Sequence, residues 1–399
     1  MDDPRPAGRP ELHTFVLTVV HNAAHSWRLD ETAFAQAEWR RQCACPLPAL
    51  DVPVTVVVPA YNEDHGILVA CVDSILRQSY AGALEVVVVD DGSREPLPDF
   101  DQLRPLLRAG RTLTYHRQPT NRGKREAQAV AFAKAQGALI VTVDSDTELA
   151  PDAIARATAP FANPRVGAVT GVALVANRDC LLARLIHLRY WSAFHAERAA
   201  QSLFGVVTCC SGVFSIYRGE LIERLTPRYL AQRFLGKPCH YGDDRHLTNL
   251  ILAQGYEVKL ASDALAWTQA PTSLRVWMKQ QLRWSKSFYR ELLWSLGFGH
   301  RCSWYFLYCL LFQALLPLLL AWGLGRGLVL LAAGDARVAL GYLASTAFMA
   351  WLRGAYGWWR TREADFLYMP LYGFLHAGLI FPVRLVALLT LWDNRWATR

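Results

Sequence analysis

At 399 residues the chain is long enough for two ordinary domains, or for one domain and a membrane portion. Hydrophobic residues make up 52% of it, which is high for a purely soluble enzyme, and the excess lies after Trp304, so the composition points to a soluble body with an apolar C-terminal third. The formal charge of +8 comes from Arg and Lys scattered among acids with no long basic run, a pattern that argues against nucleic acid and for lipid headgroups and a phosphorylated substrate.

The nine cysteines form no pairs at zinc spacing, and Cys43/Cys45 and Cys209/Cys210 are too close in sequence to suggest a disulfide framework, so they read as reduced structural thiols in a cytosolic body. The apolar run Phe15 to Val20 is too short to span a bilayer and is followed by His21, His25 and Arg28, which is not a secretory signal. Residues 1–50 are expected to form an N-terminal leader packed on the body or lying at the membrane face.

From Asp51 the chain reads as alternating strand and helix. Val54 to Pro59 is a β-branched run that leads into Tyr61-Asn62-Glu63-Asp64, as a buried parallel strand leads into a loop. Asp64 or Asn62 can cap a helix over Ile67 to Gln78, where Leu68, Cys71, Val72, Ile75 and Leu76 recur at helical spacing. Leu84 to Val89 is a second strand, ending in Asp90-Asp91-Gly92-Ser93. Leu113 to His116 is a third, Asn121 to Gln136 a helix, and Ala138 to Val143 a fourth strand ending in Asp144-Ser145-Asp146. This order predicts an α/β fold with a doubly wound sheet, whose ligand sits beyond the carboxyl ends of the strands. The acids fall at those ends.

No GxGxxG follows the first strand and no GxxxxGK[ST] occurs, so neither dinucleotide binding nor a P-loop is supported. Aspartates at strand ends suit a nucleotide held through base and ribose hydroxyls, with a divalent metal at its diphosphate. Asp144-x-Asp146 offers hard oxygens for Mg²⁺ or Mn²⁺. A turn or helix cap explains most such pairs; the position after a buried strand and beside two other acidic clusters favours the ligand. Gly123-Lys124-Arg125 precedes a helix, where phosphate oxygens are readily held, although a solvated helix start has the same sequence.

Asn177 to Ala200 is amphipathic and is expected to be a helix that either closes the site or lies on the membrane surface. Thr208 to Gly212 is a small-residue strand end or loop that lets backbone approach a sugar. Gly242-Asp243-Asp244 opens a helix to about Ala253, and Glu257 to Leu260 is a short strand. Adjacent carboxylates are costly to hold together unless a metal, a cation or a proton in transit is present. Gln280-Gln281-Leu282-Arg283-Trp284 follows in an aromatic and basic segment, which is also what an amphipathic interfacial helix looks like.

Taken in order, Asp90-Asp91-Gly92-Ser93, Asp144-Ser145-Asp146, Gly242-Asp243-Asp244 and Gln280 to Trp284 resemble the processive family-2 glycosyltransferases, the group that contains hyaluronan, chitin and cellulose synthases, from about Val54 to Arg290. Ser211 to Arg218, Gly242 to Asn249 and Arg283 to Phe288 look most like hyaluronan synthases, with rhizobial chitin-oligosaccharide synthases close behind. The ending Arg395-Trp396-Ala397-Thr398-Arg399 is similar to the Trp-Gly-Thr-Arg of hyaluronan synthases, with alanine for glycine.

The resemblance implies a GT-A catalytic domain over residues 51–301 and an inverting transferase that polymerises sugars from a UDP-sugar donor onto a growing polysaccharide acceptor. It is expected to be of hyaluronan-synthase type (UDP-GlcNAc and UDP-GlcA). The alternative is an N-acetylglucosamine oligomer synthase using UDP-GlcNAc alone. A reading of another class, a non-catalytic nucleotide-sugar-binding scaffold, conflicts with the intact acids, and transfer of a single sugar to a lipid conflicts with Gln280 to Trp284. By the same resemblance Tyr61, Glu63 and Asp91 would hold uridine, and Lys124, Arg125 and Arg283 would meet the diphosphate. Asp144 and Asp146 would bind sugar-nucleotide and metal, and Asp244 would be the general base, with Asp243 as fallback. Trp284 would stack on the acceptor sugar, Gln280 would bind substrate, and Trp396 and Arg399 would return to the nucleotide.

Residues 302–399 form the membrane portion. Trp304 to Trp322 is nineteen residues without a charge, enough to cross a bilayer, and Val338 to Leu352 and Phe366 to Val383 are expected as second and third crossings. For the tail to return to the nucleotide, either one of these segments is re-entrant or Leu385 to Trp392 turns back along the interface. Arg353, Arg360 and Arg362 put the loop between the second and third crossings on the cytoplasmic side, which fits a multi-pass plasma-membrane protein with a cytoplasmic catalytic domain. Hyaluronan synthases usually carry membrane helices before the catalytic body, and none is expected within residues 1–50 here. A homodimer or a partner is therefore expected to complete an export channel.

Overall fold

In a computed structural model of the protein, the residues described are 30–97, 100–107 and 110–393. The Phe15 to Val20 run and Trp396 and Arg399 lie outside them.

Helix α1 (30–44) precedes the sheet and is fastened to the body, with Ser202 donating to Glu38 at 2.8 Å and Gln42 donating to the Leu260 carbonyl at 2.9 Å. Strand β1 (Val54–Ala60) is buried on both faces, as its β-branched run predicts. Helix α2 (His65–Leu76) is capped by Asp64, whose side chain accepts from the Ile67 amide. Then come β2 (Leu84–Asp90), β3 (Arg111–Arg117), α3 (Lys124–Lys134), β4 (Leu139–Val143) and β5 (Thr147–Leu149). These are followed by α4 (Ala153–Thr158), β6 (Val166–Val175) and α5 (Leu181–Ser192).

One sheet runs in the order β3-β2-β1-β4-β7-β6-β10-β5, where β7 is Phe214–Arg218 and β10 is Glu257–Thr268. Strands β3, β2, β1 and β4 are mutually parallel, which is the doubly wound half expected from sequence. Strand β7 then runs antiparallel to both β4 and β6, and β5 closes the far edge antiparallel to β10, so the sheet is mixed. Strands β5, β6 and β7 are additions to the expected elements, and the fragment Glu257 to Leu260 extends to Thr268. β6 carries Gly167 and Gly171, each packed so closely that a Cβ would strike Ile251 or Phe214.

The segment Asn177 to Ala200 is not one α-helix. α5 passes into a π-helical stretch, Ala193–Arg198, and then into α6 (Ala199–Leu203). α7 (Gly219–Leu230), the hairpin β8 (Arg233–Phe234) and β9 (Lys237–Pro238), and α8 (Asp243–Ala253) follow, and after β10 comes the long α9 (Leu274–Gly299).

The C-terminal portion consists of α10 (Trp304–Ala332), α11 (Arg337–Thr361), a 3₁₀ turn (Ala364–Tyr368), α12 (Met369–Leu375), a π turn (His376–Ile380) and α13 (Phe381–Leu389). Among the described residues two helical stretches are long and apolar enough to cross a membrane, Trp304–Ala332 and Ala364–Leu389. Three crossings were expected. The second, Val338 to Leu352, lies in α11, whose far end is bound to the body: Arg353 pairs with Glu31 at 3.2 Å and with Glu197 at 3.1 Å, and Arg360 stacks on Trp39 at 4.2 Å. The turn after α11 is fixed to the segment before α5 by Arg178–Glu363 at 3.3 Å and to α5 by the Arg184–Asp365 pair. Leu385 to Leu389 continue α13 and do not turn back at that point.

Candidate active site

Because β1, β2 and β4 are parallel, the segments that follow them converge at one edge of the sheet. Tyr61, Glu63, Asp91, Asp144 and Asp146 line a cleft of about 1770 Å³, together with Lys124, Asp243, Asp244 and the α9 residues Gln280, Gln281, Arg283 and Trp284. The expected clusters therefore meet in a single concavity.

The two aspartates at the end of β2 divide their work. Asp90 is fully buried; it accepts the Ser93 amide at 2.8 Å and the Tyr115 hydroxyl at 3.2 Å, and it pairs with Arg117. Asp91 faces the cleft but accepts the amides of Arg122 and Gly123, each at 2.8 Å, and the Gln118 amide group at 2.9 Å. Burial raises its pKa above the usual carboxylate value, and those two amides partly offset the rise. Asp91 thus shapes the loop that delivers Lys124, with its remaining lone pairs toward the cleft. Glu63 accepts from the Ser145 hydroxyl at 2.7 Å, which ties the β1 loop to the Asp144–Asp146 turn.

Gly123 has φ +96°, a conformation other residues rarely adopt, and turns the chain into α3 with Lys124 first. Lys124 Nζ lies 2.6 Å from Asp144 Oδ1 and 3.3 Å from Asp243 Oδ2. Burial works against its charge, but Asp144 and Asp243 outweigh that and hold its pKa well above normal. A Cβ on Gly212 would sit 3.0 Å from this ammonium, so the small residue before β7 gives room for the pair. Asp146 accepts from Thr268 at 3.2 Å at the end of β10.

Asp243 and Asp244 occupy the first turn of α8, where free amides and the helix dipole favour anions. Their environments differ. Burial alone would raise both; Lys124 and then Arg125 bring Asp243 below the ordinary range, whereas burial and the neighbouring Asp243 charge hold Asp244 above it. Asp244 is half-buried, faces the cleft and accepts from the Arg245 amide at 2.7 Å. Two adjacent carboxylates with oppositely shifted affinities are the pattern in which one is a fixed charge and the other is free to take a proton.

On α9, Gln280 presents a buried side-chain oxygen with no hydrogen-bond partner, and Trp284 is 41% exposed at the cleft, 6.3 Å from the Tyr190 ring. Arg125 departs from expectation. It does not line the cleft; it is buried behind α3, where it donates to the Tyr229 carbonyl at 3.1 Å, the Tyr241 carbonyl at 3.4 Å and the Gln232 side chain. Successive helical residues point about 100° apart, so Lys124 faces the cleft and Arg125 cannot. Its effect on the site is electrostatic, through Asp243.

The cleft continues between the C-terminal helices, where Gln313 of α10, Tyr372 of α12, His376 of the π turn and Arg384 of α13 also line it. Polar residues inside otherwise apolar stretches were the sequence signal for these. Trp392 and Asp393 reach the same cleft: Arg290 donates to the Leu391 carbonyl at 2.6 Å and to the Asp393 carbonyl at 2.9 Å, and the Tyr241 hydroxyl donates to the latter at 3.0 Å.

A mixed sheet with acids at its strand ends, a lysine at the first turn of α3 and paired carboxylates at the first turn of α8 defines a GT-A glycosyltransferase. Residues 51–287 match the family described as glycosyltransferase like family 2, and the chain belongs to that family. It is 39% identical over 352 residues to an N-acetylglucosaminyltransferase of Sinorhizobium fredii, with 87% of this chain and 84% of that protein covered. It is 37% identical to an N-acetylglucosaminyltransferase of Rhizobium meliloti, with 89% and 82% covered. Among solved structures, a mannosyltransferase from Pyrobaculum calidifontis in complex with GDP-Man and Mn²⁺ has the same fold, with a TM-score of 0.59, 24% identity and coverage of 89% of this chain and 98% of that one.

Proposed function

We propose that this glycosyltransferase takes N-acetylglucosamine from UDP-GlcNAc and adds it, with inversion, to a growing N-acetylglucosamine oligomer. The observation that carries this reading is the similarity, along most of both chains, to relatives named N-acetylglucosaminyltransferase. It replaces the hyaluronan-type expectation, since a second, uronic-acid donor has no support among those relatives.

In this reading Tyr61, Glu63 and Asp91 serve the uridine end of the cleft, and Lys124 and Arg283 serve the diphosphate. The acceptor hydroxyl oxygen forms a bond to the anomeric carbon as the bond from that carbon to the diphosphate oxygen breaks. The hydroxyl proton passes to Asp244, whose raised affinity suits a base, while Asp243 stays ionised beside Lys124. Gln280 and Trp284 meet the acceptor sugar. The extension lined by Tyr372, His376 and Arg384 suits the residues already added.

The donor set fits a hard divalent cation. Asp144 and Asp146 are two cleft-lining carboxylates at the end of a buried strand, and no cluster of three or more His, Cys, Asp or Glu suited to a metal occurs among the described residues. Asp144 and Asp146 would hold a Mg²⁺ or Mn²⁺ ion, with the donor's phosphates supplying further oxygens. When bound it neutralises charge on the leaving diphosphate.

Two apolar helical stretches and a broad exposed apolar surface on α10 and α11, including Leu315, Leu318, Leu328, Leu340 and Trp351, support membrane attachment. The end of α11 that bears Arg353 and Arg360 is bound to the catalytic body, which supports a cytoplasmic placement for both. Sugar incorporation by membranes given single UDP-sugars and pairs of them tests this reading; it fails if none is incorporated.

A further inference from the structure

Behind the cleft, three elements that carry site residues meet at one buried carboxylate. Glu291 lies two turns along α9 from Trp284 and is 5% exposed. Its Oε1 is 3.1 Å from His246 Nδ1 of α8 and also accepts from the Gln232 side chain. Its Oε2 accepts from Asn249 Nδ2 of α8 at 3.0 Å. Gln232 in turn accepts from Arg125, the residue after Lys124 in α3. His246 and Asn249 are 7% and 2% exposed, and the same Asn249 amide also reaches Ser295 at 3.1 Å.

A buried carboxylate costs several kcal/mol to desolvate unless its lone pairs are met, and here they are met from both neighbouring elements. Burial alone would raise the Glu291 pKa, but the bonds from His246, Asn249 and Gln232 reverse that and keep it ionised. No atom of Glu291 borders the cleft. The bonds instead join α9, with Arg283 and Trp284, to α8, with Asp243 and Asp244, and reach α3 through Gln232 and Arg125.

We propose that Glu291 is a positioning residue: it fixes the spacing between the base on α8 and the acceptor-side residues on α9. This rests on the glycosyl-transfer reading above. Displacement of either helix by a fraction of an ångström misaligns the acceptor hydroxyl and the base, which lowers turnover more than donor affinity, since α9 gives the donor Arg283 alone while the β-strand loops and Lys124 supply its other contacts.

The test is kcat and KM for UDP-GlcNAc in membranes carrying the full chain as wild type, E291Q, and E291Q with N249D. In E291Q one carboxylate oxygen becomes an NH2 that opposes the amide of either Asn249 or Gln232, donor against donor, and turnover should fall about tenfold or more with KM changed less than about threefold. Asn249→Asp restores an acceptor opposite that amide, so the double variant should recover most of kcat. The assignment is overturned if E291Q turns over like wild type, if its loss is confined to KM, or if the double variant is no better than the single one. A variant lost from the membrane and not restored by the second substitution also overturns it, in favour of a purely structural role. An inert wild type would overturn the transfer reading and this assignment together, whereas an active wild type with an unchanged E291Q would overturn the assignment alone.

Discussion

Lys124 Nζ stands 2.6 Å from Asp144 Oδ1, so the cation at the start of α3 is seated on the first carboxylate after β4. The two residues are 20 positions apart, and both a parallel crossover and a glycine at φ +96° are needed to join them. On the proposed reading the pair couples the donor side of the cleft to the α8 carboxylates, because the same ammonium also reaches Asp243. Lys124→Ala should raise KM for UDP-GlcNAc roughly tenfold or more, as one charge-assisted contact to a phosphate is lost. Lys124 also lowers the proton affinity of both Asp243 and Asp244, so its removal should shift the acid limb of the activity profile to higher pH. A profile measured for both proteins at saturating donor checks the direction.

Asp244 binds its proton more tightly than an ordinary aspartate does, through burial and the neighbouring Asp243 charge. A base must be ionised to act, so kcat should decline as pH falls through a value above the ordinary aspartate range. Asp244→Asn should lower kcat by at least about 100-fold and leave UDP affinity within a few-fold. Retained turnover would move the base to another residue. Asp243→Asn should behave differently, weakening the hold on Lys124 and with it donor affinity.

Gly242 has φ +81°, and a Cβ there would collide with Ser287 Oγ on α9. Gly242→Ala combines roughly 1–2 kcal/mol of backbone strain with a displacement of α8 from α9. Activity should drop more than melting temperature does, because the strained turn directly precedes the two carboxylates. Gly236→Ala, at a similar φ of +79° but with open space around it, supplies the control for strain alone.

Chelation should stop transfer, and either Mg²⁺ or Mn²⁺ should restore it. Asp146→Asn should require more metal for half-maximal activity, since one of the two carboxylates offered to the cation is lost. An enzyme indifferent to exhaustive chelation would overturn the assignment of Asp144 and Asp146.

Much of this site was legible because strands buried on both faces write themselves as β-branched runs, and ligands of such sheets sit at the strand ends. Val54–Ala60, Leu84–Asp90 and Leu139–Val143 each announce themselves, and the residues after them line the cleft. β6 did not, because Gly167 and Gly171, needed for close packing, break its pattern. β7 joins the sheet antiparallel between two strands far from it in sequence, a choice made by tertiary packing. Lys124 and Arg125 are chemically similar neighbours, and only the helix phase decides which faces the donor. Glu291 sits in a stretch that reads as an interfacial helix, and its partners on α8 and just before β8 lie more than 40 residues away.

The central claim is that one donor suffices. Membranes carrying the full chain, given UDP-GlcNAc and a divalent metal, should yield products whose mass spectrum is a ladder spaced by single N-acetylhexosamine units, unchanged when UDP-GlcA is added. Product formed only when both donors are present, with uronic acid in alternate positions, or no product from UDP-GlcNAc at all, would contradict it.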